Sequence, residues 1–165
     1  TSGKHRKPQK NGDLMDTAHK KILLFVNKGI TWIFYLAFVL LLLSLSVEHD
    51  PDLPRTILTC GLSFLVVSLF RRFYNAPRPY EKDGVTPLIP KKTQGRSFSS
   101  RHVFFAFVIA VSVFFFRPFW GSVLLCLGVL LAYLRTALKV HYIKDVVVGA
   151  LCGIASGIIG FWLIP

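Results

Sequence analysis

Residues 135–165 read RTALKVHYIKDVVVGALCGIASGIIGFWLIP. The first part of this stretch is polar and basic, with Arg135, His141 and Asp145. From Val146 to Pro165 there is no charge at all. An apolar run of about 20 residues crosses a bilayer's hydrocarbon core as a helix. Gly149, Gly153 and Gly157 recur at four-residue spacing inside it, which marks a face for close helix packing. The stretch therefore reads as a membrane span with a polar cluster at one mouth.

Working outward, four more apolar runs follow the same pattern. Gly29–Val47 is a clear span. Thr56–Phe70 is uncharged and extends to Leu53 and Tyr74. Val103–Phe116 is short and continues upstream through His102. Arg117-Pro118 makes a turn, since proline breaks helices and arginine anchors at interfaces. Pro118–Leu134 is the fourth run. The expected fold class is all-α, a bundle of about five transmembrane helices. A basic interfacial helix, Asp13–Lys28, is expected to lead into the first span. Residues 1–12 read as a basic tail whose Thr1-Ser2-Gly3 start is a cloning remnant, and residues 13–165 as a single membrane domain. No cleavable signal peptide is expected, because the first apolar run is too long for one.

Composition agrees. The 165 residues are 53% hydrophobic and only 17% charged, yet the net charge is +12. The basic residues must therefore be clustered, and they flank apolar runs instead of covering a soluble fold. This argues against nucleic acid as a partner and for membrane lipids. Cys60, Cys126 and Cys152 all lie within apolar runs and read as small hydrophobes, not as a disulfide framework or metal site.

Five spans fix the sides. The N-terminal segment, the loop 71–101 and the loop 135–144 share one face. That face carries 18 of the 20 Lys and Arg residues, leaving Arg55 and Arg117 opposite. The positive-inside rule points the basic face at the cytoplasm of a multi-pass cell-membrane protein.

Three clusters come together on that face: Arg71 to Arg78-Pro79, Ser99-Ser100-Arg101-His102, and Arg135 to His141 to Asp145. Each alone also reads as interface structure: arginines that end a span, serines that cap a helix, an aspartate that opens one. Together they suit phosphoryl transfer, which needs charge neutralisation, an in-line nucleophile and an acid. Arginine forks bind phosphate bidentately. Serine amides at a helix start make an anion site. His141 and Asp145, four apart, can share a helix face. A carboxylate on one ring nitrogen leaves the other free to attack. Spacing alone does not say which histidine is the nucleophile; the pairing with Asp145 favours His141.

The order of these clusters resembles the type 2 phosphatidic acid phosphatase superfamily, which also includes vanadium haloperoxidases and bacterial acid phosphatases. Its pattern is Lys-x6-Arg-Pro, then Pro-Ser-Gly-His, then Ser-Arg-x5-His-x3-Asp. The resemblance covers about residues 71–149 and departs at four positions: Arg71 for Lys, Ser99 for Pro, Arg101 for Gly and Leu134 for Ser. None of these removes a proton-transfer residue. The resemblance implies that His141 attacks phosphorus, Asp145 orients it, and His102 protonates the leaving oxygen and then activates water. Arg71, Arg78, Arg135 and Ser100 would hold the phosphate, and Arg101 would either crowd the site or add a ligand. No metal and no cofactor are implied. The substrate would be a lipid phosphate or pyrophosphate: phosphatidylglycerol phosphate, phosphatidic acid or undecaprenyl pyrophosphate. A site facing outward would suit the last of these and is the commoner direction in the family, against the charge count. A lipid phosphotransferase using the same phospho-histidine, or a non-catalytic lipid-binding or transport protein, are the alternatives.

Overall fold

A computed structural model describes residues 10–74 and 98–163. These form five helices: α1 (Lys10–Val47), α2 (Leu53–Tyr74), α3 (Arg101–Phe116), α4 (Pro118–Ala137) and α5 (Ile143–Ile158). A π-helical turn, Ile159–Leu163, ends α5. No strand occurs among the described residues. Helix α2 covers the run read from the sequence, and Pro118 sits in the first turn of α4, where its missing N–H costs nothing.

Helix α1 is continuous for 38 residues. At 1.5 Å per residue that is about 57 Å, nearly twice the ~30 Å hydrocarbon core. The basic segment Asp13–Lys28 is thus helical, with no break between it and the span.

Among the described residues, four segments are long and apolar enough to cross a membrane: the span of α1, α2, α4, and α5 with its π turn. Helix α3 has 16 residues, about 24 Å, and is too short to span alone. It is the axis of the bundle. Val103, Val108, Ile109 and Ala110 are fully buried, and each of the other four helices packs against it. Backbone enclosed by protein need not match lipid thickness, so this third apolar run can be short. The lipid-facing positions of the outer helices are apolar instead, as at Leu62, Val66, Val129 and Leu151.

The glycine stripe sets the tightest contact. A Cβ at Gly149 would lie 2.9 Å from the Ser100 carbonyl oxygen, and one at Gly153 would lie 2.5 Å from the Phe104 carbonyl oxygen. A Cβ at Gly157 would meet the Val111 side chain at 2.5 Å. Helix α5 therefore lies against the backbone of α3, closer than any side chain would allow.

At the face opposite the basic clusters, both remaining arginines are committed. Arg117 donates to Glu48 Oε1 at 2.8 Å. Arg55 Nε donates to the Gly160 carbonyl at 2.8 Å and its Nη2 to the Phe161 carbonyl at 3.0 Å, filling acceptors that the end of α5 leaves open.

Candidate functional site

The site is built from the ends of four helices on the basic face. Arg71 lies in the last turn of α2 and is only 9% exposed. Its guanidinium donates to the Ser99 carbonyl, which fixes the strand of chain entering α3. Ser100 follows at the N-cap position of α3, fully buried. The serines were expected to cap this helix. Ser100 occupies the capping position, but its side chain makes no cap bond, and its Oγ has no hydrogen-bond partner among the described residues. A buried hydroxyl without a partner still has a hydrogen bond to offer an acceptor.

Arg135 comes from the last turn of α4 and is 3% exposed. The chain then reverses through two backbone bonds, Lys139 N–H to the Thr136 carbonyl (2.9 Å) and Val140 N–H to the Arg135 carbonyl (3.3 Å). This is a Schellman ending. Lys139 takes its left-handed position at φ 56°, where glycine is usual. The reversal delivers His141, 4% exposed, to the site.

His141 and Asp145 do meet, but not on one helix face as their spacing predicts. His141 lies before the helix. Tyr142 is the N-cap of α5 and Asp145 is its third residue. The Asp145 carboxylate turns back to accept the Tyr142 N–H at Oδ2 (3.2 Å), which is half of a capping box. The same Oδ2 stands 3.7 Å from His141 Nδ1. One carboxylate thus starts the helix and faces the imidazole. Asp145 is 1% exposed. Its carbonyl accepts the Ser100 N–H at 2.8 Å, tying the start of α5 to the start of α3.

Two helix N-termini, those of α3 and α5, therefore converge beside Arg71 and Arg135. First-turn amides lack intrahelical acceptors and carry the positive end of the helix dipole. The result is a buried, cationic, donor-rich cluster suited to a phosphate.

His102 sits on the first turn of α3, half-buried, and lines a cleft between α1, α2 and α3. Arg101 shares that cleft. Its guanidinium stands over the Phe64 ring, 5.5 Å from the centroid, in a cleft that Arg71 and Arg135 do not line. Arg78 and the Asn75–Pro79 turn lie outside the described residues. Leu134, where the family pattern has Ser, is buried in the main core. Among the described residues, no three His, Cys, Asp or Glu side chains group as a cation site would require. Three contributors had no sequence signal: the Ser99 carbonyl, the Tyr142 N–H and the Ser100–Asp145 backbone bond. Only the glycine spacing hinted that α3 and α5 would lie close enough for the last.

Comparison with known proteins agrees with this geometry. The family model described as the PAP2 superfamily matches residues 54–165. No curated protein sequence matches the chain significantly. Among solved structures, that of Aquifex aeolicus LpxE is similar, with a TM-score of 0.63 and 28% identity, over 85% of this chain and 92% of that one. A transmembrane PAP2-type phosphatidylglycerolphosphate phosphatase from Bacillus subtilis has the same fold, with a TM-score of 0.61 and 21% identity, over 93% of this chain and 86% of that one. A family match over most of the chain, on a helical frame that gathers the motif ends at one mouth, leads to one assignment: the chain belongs to the PAP2 superfamily and is a membrane lipid phosphatase.

Proposed function

We propose that this phosphatase removes the terminal phosphate of a lipid phosphate or pyrophosphate through a phospho-His141 intermediate. The observation that carries the reading is the His141–Asp145 arrangement: a buried imidazole with Nδ1 facing a carboxylate, beside Arg71, Arg135 and the unpartnered Ser100 Oγ.

In the first step Nε2 of His141 attacks phosphorus in line. The N–P bond forms as the bond to the leaving oxygen breaks, and that oxygen takes a proton from His102. Asp145 stabilises the positive charge that develops on the ring. Arg71, Arg135, Arg78 and Ser100 Oγ offset charge on the phosphoryl oxygens, the largest contribution such a site makes. In the second step a water molecule gives its proton to His102 and attacks phosphorus. The N–P bond breaks, inorganic phosphate leaves, and both histidines are restored. The residues supply every proton and electron pair required.

Phosphatidylglycerol phosphate, phosphatidic acid and undecaprenyl pyrophosphate are the candidate substrates, since each keeps its tail in lipid and offers its phosphate at an interface. The basic excess on the site face supports a cytoplasmic orientation. Cysteine labelling of the 71–101 loop in intact cells tests it. The chemistry is tested by phosphate release from the three lipids in detergent with EDTA present. Release should persist with chelator, and His141→Ala should abolish it while the protein stays folded. Acid-labile, alkali-stable label on the wild type from a radiolabelled lipid would identify the intermediate. Release by His141→Ala at the wild-type rate would refute the assignment.

A further inference from the structure

The two arginines at the opposite face are paired. Arg55 holds the Gly160 and Phe161 carbonyls and lies 3.4 Å from Asp52. Arg117 holds Glu48. Arg101 is different. Among the described residues no carboxylate pairs with it, and its partner is an aromatic face, Phe64. A guanidinium held over a ring face still has N–H donors to offer a bidentate anion.

Its position gives that anion a role. The cleft it lines has a volume of about 440 Å³ and walls that include Phe34, Phe38, Cys60 and Phe105. From Thr31 to Leu42 the lining on α1 extends about 16 Å at 1.5 Å per residue. His102 stands in the same cleft. A larger cleft, about 1070 Å³, lies on the other flank of α2, but at the site end it offers Phe98 and Ser99 and no titratable group. The group that protonates the leaving oxygen must be beside it. The leaving group therefore occupies the smaller cleft, with its chain among the aromatic residues and its first polar atoms beside Arg101.

We infer that Arg101 is a specificity-determining residue that recognises a second anionic group on the leaving-group side of the scissile bond. The preferred substrates are then lipids whose leaving group is itself a phosphate or phosphodiester, as in a prenyl pyrophosphate or phosphatidylglycerol phosphate. Phosphatidic acid, whose leaving group is a neutral diacylglycerol, offers Arg101 nothing. This inference rests on the phosphatase reading and on His102 as its acid.

The test uses the full-length protein in neutral detergent micelles, which removes bulk anionic lipid as a competing ligand for Arg101. The quantity read is the ratio of kcat/KM for farnesyl pyrophosphate to that for phosphatidic acid, with phosphatidylglycerol phosphate as a second numerator. Charge-assisted hydrogen bonds are the strong ones, so Arg101→Gln should lower both ratios by about tenfold or more, and Arg101→Lys should recover part of the loss. Arg101 is exposed at the first turn of α3, and Gln is a good helix former, so the variant keeps its fold. Ratios unchanged in Arg101→Gln would overturn the inference while leaving the phosphatase reading intact, and so would an equal loss on all three lipids. A wild-type protein that releases phosphate from none of them would overturn the phosphatase reading itself.

Discussion

Adding one methyl group to the glycine stripe of α5 perturbs the site from behind, through main chain and without replacing any side chain in it. A carbon seldom approaches a carbonyl oxygen closer than about 3.3 Å. The Cβ of Gly149→Ala would start 2.9 Å from the Ser100 oxygen, so the backbones must part by about 0.4 Å. At Gly153→Ala the corresponding contact, to the Phe104 oxygen, is 2.5 Å, and the separation needed is about 0.8 Å. Both obstacles are backbone, so neither can rotate away. Overpacking of this kind costs about 1–3 kcal/mol, with Gly153→Ala the more costly of the two. Activity should follow a different order. Gly149 lies one turn beyond Asp145, opposite the residue whose N–H binds the Asp145 carbonyl. Spreading the helices there moves His141 relative to Ser100. A misplacement near 1 Å can cost about 10²-fold in rate, so about 0.4 Å should cost roughly tenfold. Gly157→Ala is the control, since its obstacle is the Val111 side chain, two turns farther from the site. Thermal unfolding and kcat on a lipid phosphate, measured together for the three variants, decide the matter. A Gly149→Ala enzyme within twofold of wild type, or a Gly157→Ala enzyme slower than it, would refute the claim that this contact spaces the site.

Three further outcomes are expected. Asp145→Asn keeps an oxygen for the Tyr142 N–H, so α5 should form normally, while kcat falls by about 10²-fold or more through loss of the carboxylate facing the imidazole; melting curves and turnover separate the two. Ser100→Ala removes a buried hydroxyl with no partner to lose, so stability should hold or rise slightly, while kcat/KM falls about tenfold; a clear loss of stability would show that the hydroxyl is structural. Lys139→Gly relieves a left-handed residue at the end of α4, worth about 1 kcal/mol, and should raise the melting temperature, with no change in melting meaning that the Schellman turn carries no strain.

Much of the frame was legible because apolar run length is a strong local signal. The limits of α2, the turn at Arg117-Pro118 and the packing role of Gly149, Gly153 and Gly157 all follow from composition and spacing. Helix α3 shows where that signal is incomplete. Its 16 residues look like a marginal span, and only its enclosure by the other helices explains why the length suffices. The site was legible as a set of residues but not as a geometry. His141 and Asp145 were paired through an assumed shared helix face, whereas a Schellman turn and a capping bond through Tyr142 bring them together. A lysine in the left-handed region gives no sequence cue, since glycine would be the expected marker. The motif alone leaves Arg101 either crowding the site or adding a phosphate ligand, and its contact with Phe64 depends on packing between helices that spacing along the chain does not encode. Arg78, legible as a motif member, lies outside the described residues.

The bond from Ser100 N–H to the Asp145 carbonyl makes the site's ruler out of main chain. The distance between α3, which carries His102, and α5, which His141 precedes, is written in an amide, a carbonyl and a glycine contact, and no side chain enters it. Side chains around the ruler can then drift without changing the span between the two histidines. That is how Ser99, Arg101 and Leu134 can each depart from the family pattern in one chain while the chemistry-bearing residues stay in register. It also means that the positions to guard in redesigning this enzyme for another lipid are Gly149 and its neighbours along α5, while the walls of the cleft are open to change.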